Sequence, residues 1–337
     1  MPIISWRNIS VTDSRILKIW EAFAVGDAMG MPTEFMTLDQ IEAAVGSSVT
    51  GLIPAELSQN HGDLPMGSVT DDTEQNLYLL RAFRQDGRVT ADNVVEALKA
   101  WIRETDAVAK HYIGPSSIKA LKAIDEGTPA AEAGMGGTTC GGIMRTPAAV
   151  LWKPEQTEEE LADSIYYALI PTHNSSEALE AAGAYGFAMK KALDGGSMDE
   201  IFAAAEKGAA VLMARAPWQS CAPSSAARLR AARTLQMDDN GLKRFLFDIW
   251  GTGLPSADVC GAVFAIFARA GKDVMRALSL GTTLGGDTDT TAALAAALSA
   301  AYAGGHNIPQ EVTGTVLAVN RSLFSEKLPE ALHAEQD

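Results

Sequence analysis

Helical spacing dominates the pattern of apolar and polar positions. Ile16, Leu17, Trp20, Phe23 and Ala24 recur at intervals of three and four, the signature of one buried helix face. Ser14 is placed to cap this helix and Gly26 to end it. Leu77, Leu80 and Phe83 predict a second helix, stopping near Asp86-Gly87. Val94, Val95, Leu98, Trp101 and Ile102 predict a third, begun at Thr90 or Asp92. Leu121 and Ile124 run up to a stop at Glu126-Gly127. Thr157-Glu158-Glu159-Glu160 reads as a capping box opening into Leu161, Ile165 and Ala168. Glu177 to Leu193, Met198 to Ala214, Leu242 to Trp250, Val259 to Ala270 and Thr290 to Ala303 complete the helical stretches. Alternating β-branched runs are short, and neither a βαβ rhythm nor a helix-pair repeat of fixed period is present. The pattern predicts an all-α protein of ten or more helices. With no linker or low-complexity segment, residues 1–337 are expected to form one compact domain.

Composition narrows this picture. Of 337 residues, 47% are apolar and 20% charged, which suits a soluble globular chain with a sizeable core. Lys and Arg number 27 against 42 Asp and Glu, a net charge of −15 that disfavours general nucleic-acid or anionic-membrane binding. Cys140, Cys221 and Cys260 are scattered and form no CxxC pair. A disulfide framework or structural zinc site is therefore not expected, and a reducing cytoplasm is. The start, Met1 to Asn8, lacks the basic and apolar regions of a signal peptide. The longest apolar run, Ala292 to Tyr302, falls short of the ~20 residues that span a bilayer and reads as a buried core helix.

The unusual residues lie between the helices. Gly67-Ser68-Val69-Thr70-Asp71-Asp72-Thr73 and Gly285-Gly286-Asp287-Thr288-Asp289-Thr290-Thr291 each pack two carboxylates and several hydroxyls after glycine and before an apolar helix. One Asp or Thr would suffice as a cap. Two neighbouring aspartates repel each other, and a cation relieves that repulsion. Hard oxygen donors at this density suit Mg²⁺ or Mn²⁺, and the two clusters together suit a pair of ions. Gly26 to Phe35 adds Asp27 and Glu34, isolated acids suited to a general base or a metal ligand if held in a dry pocket, with Asp27 also expected among the substrate contacts. Gly134 to Gly142, including Gly137-Thr138-Thr139-Cys140-Gly141-Gly142, reads either as an anion-binding loop ahead of a helix at Ile143-Met144-Arg145 or as a flexible connection. It lacks the Lys-Ser or Lys-Thr of a Walker loop. Gly114-Pro115-Ser116-Ser117 reads as a turn whose serines cap a helix and can donate to phosphate. Thr172-His173-Asn174-Ser175 reads as a loop and capping segment. Cys140 has no evident His partner, so a thiol nucleophile is not favoured.

GDAMGMPTEF, TDDTEQ, the Gly-rich stretch ending MRTP, THNSSEA and GGDTDTTAAL occur in the order found in the ADP-ribosylglycohydrolases, and from about Ile16 to Gly305 the chain resembles that family. The resemblance implies an all-α fold with a binuclear Mg²⁺ or Mn²⁺ centre and a motif-bearing core at about 14–305. It implies Thr70, Asp71, Asp72, Asp287, Asp289 and Thr290 as ligands and Glu34 as the acid beside the ions. It places Gly137 to Arg145 at the diphosphate and ribose, Gly114 and Ser116 at a second ligand contact, and His173 in the TH motif. Cys140-Gly141 stands where many relatives carry Asn-Gly, a departure that bears on the leaving group. The expected reaction is metal-dependent hydrolysis at the anomeric carbon of ribose, releasing ADP-ribose from a protein or small molecule, with an acid among Glu34, Asp71 and Asp72 taking a proton. Alternatives are a nucleosidase-like hydrolase of a ribosylated small molecule and a non-catalytic, crystallin-like metal-binding protein. A DxDxT phosphatase reading of Asp287 to Thr291 lacks the hydrophobic strand that should precede it.

Overall fold

The computed structural model describes residues 14–332; Met1 to Asn8, read above against a signal peptide, lie outside the described residues. Helix starts follow the predicted chemistry. Thr157 and Glu160 close a capping box, and so do Thr90 and Asn93, which makes Thr90 rather than Asp92 the cap. Helices stop where left-handed backbone is needed, as at Gly87 with φ 65°. Seventeen α-helices result among the described residues, with no sheet. The stretch predicted as Leu242 to Trp250 is an α-helix at Asp239–Phe245 running into a π-helical turn at Leu246–Trp250. The only extended pairings among these residues are isolated bridges, Met135 with Asn174 and Thr139 with Pro255.

The Thr288–Ala303 helix lies at the centre, with every residue from Thr288 to Ala301 buried. Its alanines leave room for neighbouring backbones. The Ser14–Gly30 helix crosses it at Gly26, where a Cβ would sit 2.5 Å from the Cα of Ala293. That glycine therefore serves a close approach and does not end the helix, which runs four residues further to Gly30. Trp20 and Phe23 on the same helix are fully buried and meet edge to face at 5.9 Å. Burying each contributes about 1.5–3 kcal/mol. One hydrophobic core runs from Ile16 to Ala331. No described helix is long and apolar enough to cross a membrane.

Candidate functional site

Three chain segments meet at one end of the central helix: the end of the Ser14–Gly30 helix with the 3₁₀ turn Met31–Thr33, the start of the Asp71–Asp86 helix, and the start of the Thr288–Ala303 helix. Hydrogen bonds stitch the first to the third and to the end of the Val274–Thr282 helix. Thr33 Oγ1 donates to the Thr282 carbonyl at 2.7 Å, and Thr288 Oγ1 donates to the Gly30 carbonyl at 2.8 Å. Gly285 and Gly286 have φ of 84° and 82°, and a Cβ on Gly286 would lie 2.1 Å from the Thr252 carbonyl. That carbonyl accepts from the Asp287 N–H at 2.7 Å, which fixes where Asp287 leaves the turn. Phe35, next to Glu34, is also left-handed at φ 62° and donates its N–H to the Gly286 carbonyl at 2.8 Å. Holding a bulky residue there costs about 1–2 kcal/mol.

Thr70 and Asp287 occupy N-cap positions, yet neither side chain caps its helix. The Thr70 hydroxyl donates instead to Asp27 Oδ1 at 2.7 Å. Asp27 also accepts from the Thr70 N–H, the Thr73 N–H at 3.0 Å and the Thr73 hydroxyl at 2.5 Å. Both of its oxygens are engaged within the protein, so Asp27 anchors Thr70 and Thr73. Burial raises its pKa, and these four donors oppose that rise.

Around this anchor the remaining carboxylates gather with few donors. Glu34, Asp287 and Asp289 each bring an oxygen within 4.8 Å of the others. Asp72 joins them through Thr290, whose hydroxyl donates to Asp72 Oδ2 at 3.3 Å. Asp71 accepts from Gln75 Nε2 at 2.9 Å. Asp72 Oδ1, Asp287 Oδ2 and Asp289 Oδ1 are buried without a protein hydrogen-bond partner. Burial holds Asp71 and Asp72 well above the usual carboxylate range, and neighbouring acids, Asp27 and Asp287 among them, push them further. Burial and then Asp287 and Asp71 raise Glu34; burial and then Glu34 and Asp287 raise Asp289. Buried like charges with unpaired oxygens need protons or cations between them. An all-oxygen donor set of carboxylates and hydroxyls fits a hard divalent ion. Glu34 faces His61, whose Nε2 lies 3.9 Å from Glu34 Oε2.

The Gly-rich segment is packed tightly and is not a flexible connection. A Cβ on Gly137 would lie 2.1 Å from the Thr172 carbonyl, one on Gly141 2.8 Å from the His173 ring, and one on Gly142 3.1 Å from the His173 Cβ. The Thr138 carbonyl accepts from the Ser256 N–H at 2.8 Å. Thr139 Oγ1 bonds His173 Nε2 at 2.9 Å and Ser116 Oγ at 3.1 Å. The His173 imidazole is engaged by Thr139 and Thr172. Burial, then Asp287 and Asp72, pushes the Cys140 thiol well above its usual range. Neither Ser116 nor Ser117 caps the Pro115–Asp125 helix; Gly114 takes the N-cap position and Pro115 opens the helix, because proline needs no donor there. Gly114 is exposed, with open space around it. The structure thus brings Ser116, Thr139 and His173 together and leaves Gly114 outside that group.

Arg145 and Glu74 fall inside the motifs MRTP and TDDTEQ, but their partners, and the role of Asn76, are visible only in the fold. Arg145 is fully buried, donating to Thr172 Oγ1 at 2.7 Å and to Ser117 Oγ at 3.3 Å. Asn76 donates to the carbonyls of Asp72 and Met144 and accepts from the Ala148 N–H, tying the first aspartate cluster to the end of the Gly-rich segment. Glu74 accepts from Trp101 Nε1 at 2.7 Å.

The sequence pattern defining the ADP-ribosylglycohydrolases matches residues 9–337. An uncharacterized protein, YegU, of Escherichia coli (strain K12) is 30% identical over 320 residues, covering 92% of this chain and 94% of its own. An uncharacterized protein of Archaeoglobus fulgidus is 30% identical over 292 residues, covering 85% and 86%. Among solved structures, an ADP-ribosylglycohydrolase-related protein complex superposes with a TM-score of 0.60 at 22% identity, over 95% of this chain and 100% of that one, which speaks for the all-α fold. With the family pattern spanning the two aspartate-bearing helix starts and the Gly-rich segment between them, this chain belongs to the ADP-ribosylglycohydrolase family.

Proposed function

We propose that the protein is a divalent-metal-dependent glycohydrolase that cleaves the bond between the anomeric carbon of ribose and its acceptor, releasing ADP-ribose from a protein or small molecule. The observation that carries this reading is the set of buried, unpaired carboxylate oxygens on Asp72, Asp287 and Asp289, gathered at two helix starts beside Glu34. Thr70, Asp71, Asp72, Asp287, Asp289 and Thr290 would hold two ions, Mg²⁺ or Mn²⁺, with Glu34 beside them. Such ions, when bound, supply Lewis acidity towards ribose hydroxyls and water.

The protein's own residues supply the rest. Asp27 holds Thr70 and Thr73 in place, so the start of the Asp71–Asp86 helix meets the ligand already ordered. Glu34 has the most exposed carboxylate of the Glu34, Asp287 and Asp289 group, at 13% for its side chain, and can reach a water molecule. It takes the proton from the attacking water at a carboxylate oxygen. The water oxygen bonds to the anomeric carbon as the bond to the acceptor breaks, and that electron pair leaves with the acceptor atom. Asp71 and Asp72 stabilise the positive charge that develops on the ribose ring. The Gly-rich segment, with Ser116, Thr139 and His173 grouped beside it, takes the diphosphate.

Purified protein incubated with and without Mg²⁺ or Mn²⁺ against ADP-ribosyl conjugates and simple ribosides tests this, with the released sugar read by mass spectrometry. Metal-dependent release of ADP-ribose is expected. Release of plain ribose alone would assign a nucleosidase-like reaction, and tight metal binding without release would assign the non-catalytic reading.

A further inference from the structure

A chain of hydrogen bonds starts at the buried Arg145 and ends at the half-buried Ser116. Arg145 Nη1 donates to Thr172 Oγ1 at 2.7 Å; Thr172 Oγ1 lies 2.7 Å from His173 Nδ1. His173 Nε2 lies 2.9 Å from Thr139 Oγ1, which donates to Ser116 Oγ at 3.1 Å. A guanidinium has no acceptor, so the first bond has only one direction. Each hydroxyl brings a single hydrogen. If Thr172 accepts from Arg145 and donates to Nδ1, the neutral ring carries its proton on Nε2, Nε2–H donates to Thr139, and Thr139 donates to Ser116. Every hydrogen within the chain then has an acceptor.

The opposite tautomer puts a proton on Nδ1. Thr172 would then accept from both Arg145 and His173, and its own hydrogen would be left without an acceptor in a fully buried site. That orphan costs about 1–3 kcal/mol. An imidazolium has the same defect and sets a second cation beside Arg145. Burial, and then the Arg145 charge, hold His173 well below the usual histidine range, consistent with a neutral ring.

We propose that Arg145 is a positioning residue that fixes His173 as its Nε2–H tautomer and thereby orders the Thr139 and Ser116 hydroxyls, leaving the Ser116 O–H as a hydrogen-bond donor directed away from the network. The Ser116 hydroxyl then turns its hydrogen outward, as a phosphoryl oxygen requires of a partner, while accepting from Thr139 with one of its two lone pairs. The identification of that oxygen with an ADP-ribosyl diphosphate rests on the function proposed above; the tautomer does not.

Long-range ¹H–¹⁵N NMR of histidine-labelled full-length protein reads the tautomer directly, with the His173 signals assigned by their loss in His173→Gln. The expected result is a single neutral form with Nε2 protonated and Nδ1 bare. A proton on Nδ1, or on both nitrogens at neutral pH, would overturn the proposal. Arg145→Lys keeps a donor and should keep that spectrum. Arg145→Met, if it folds by circular dichroism, should give a mixture of the two neutral forms, and an unchanged Nε2–H form would remove Arg145 from the role. Ser116→Ala should raise KM for an ADP-ribosyl conjugate about tenfold with kcat little changed, and an unchanged KM would reject the outward donor. An Nε2–H spectrum in a protein that turns over no ribosyl conjugate would keep the positioning role and reject the proposed reaction.

Discussion

Gly30 and Asp289 approach so closely that a Cβ on Gly30 would lie 2.5 Å from the Asp289 Cα and 2.4 Å from the Thr288 carbonyl oxygen. Both obstacles are backbone and cannot move aside as a flexible side chain would. Gly30→Ala is therefore expected to push the Ser14–Gly30 helix off the start of the Thr288–Ala303 helix, destabilising the fold by about 1–3 kcal/mol. It should also weaken divalent-ion binding, because Asp287 and Asp289 sit at that helix start. Gly305→Ala, where a Cβ meets open space, should change stability by less than about 0.5 kcal/mol. Urea unfolding and Mn²⁺ titration of the two variants check both effects.

Asp27 holds the start of the Asp71–Asp86 helix through hydrogen bonds from Thr70 and Thr73. Asp27→Asn keeps the shape but turns one acceptor into a donor facing the N–H and hydroxyl groups of Thr70 and Thr73. The expected cost is about 1.5–3 kcal/mol of stability, the worth of hydrogen bonds to a charged group. Lower affinity for Mn²⁺ should accompany it. An Asp27→Asn protein with unaltered Mn²⁺ affinity would remove Asp27 from the site's architecture.

How far the sequence carries the fold depends on whether a signal is local. The Thr157–Glu160 box and the Asp86-Gly87 stop are set by a few neighbouring residues, and the structure has them where the pattern predicts. Gly26 misleads because glycine serves both helix ends and close helix crossings, and only the partner, Ala293, distinguishes the two. The paired aspartate clusters stand out because their charge density exceeds what capping needs. Their lack of capping bonds, and the capture of Thr70 by Asp27, are visible only in three dimensions. Arg145 and Thr172 are 27 residues apart and carry no motif that joins them.

Acid sensitivity should centre in part on Glu21, buried near the C-terminal end of the fold against His306. Burial alone would raise its pKa, but hydrogen bonds from His306 and Lys18, with their charges, outweigh it and lower the carboxyl below its usual value. A folded-state pKa below the unfolded one contributes stability that is full above the unfolded value, near 4.5, and is lost as pH falls through the folded value. Glu21→Gln should accordingly destabilise the protein at pH 7, and the gap from wild type should shrink as pH drops below about 4.5. Equilibrium urea unfolding between those conditions measures it. A gap that stays constant would contradict the ion-paired state of Glu21.

Thiol chemistry should separate the cysteines cleanly. Cys221 is exposed, whereas Cys140 and Cys260 are buried. Burial pushes Cys140 well above its usual range and Cys260 up to about 12. An aromatic disulfide reagent should label Cys221 rapidly in the native protein and the other two only on unfolding. Rapid labelling of Cys140 in the native state would show a thiol open to solvent beside Asp287.

Asp72, Asp287 and Asp289 are proposed to gather in order to hold divalent ions for glycosidic cleavage. The most direct test is calorimetric titration of Mn²⁺ into wild type and Asp289→Ala, with turnover of an ADP-ribosyl conjugate measured on the same samples and helicity checked by circular dichroism. Wild type is expected to bind two ions and release ADP-ribose only with metal, and Asp289→Ala to lose both while keeping its helices. Undiminished Mn²⁺ binding and turnover by Asp289→Ala would contradict that proposal.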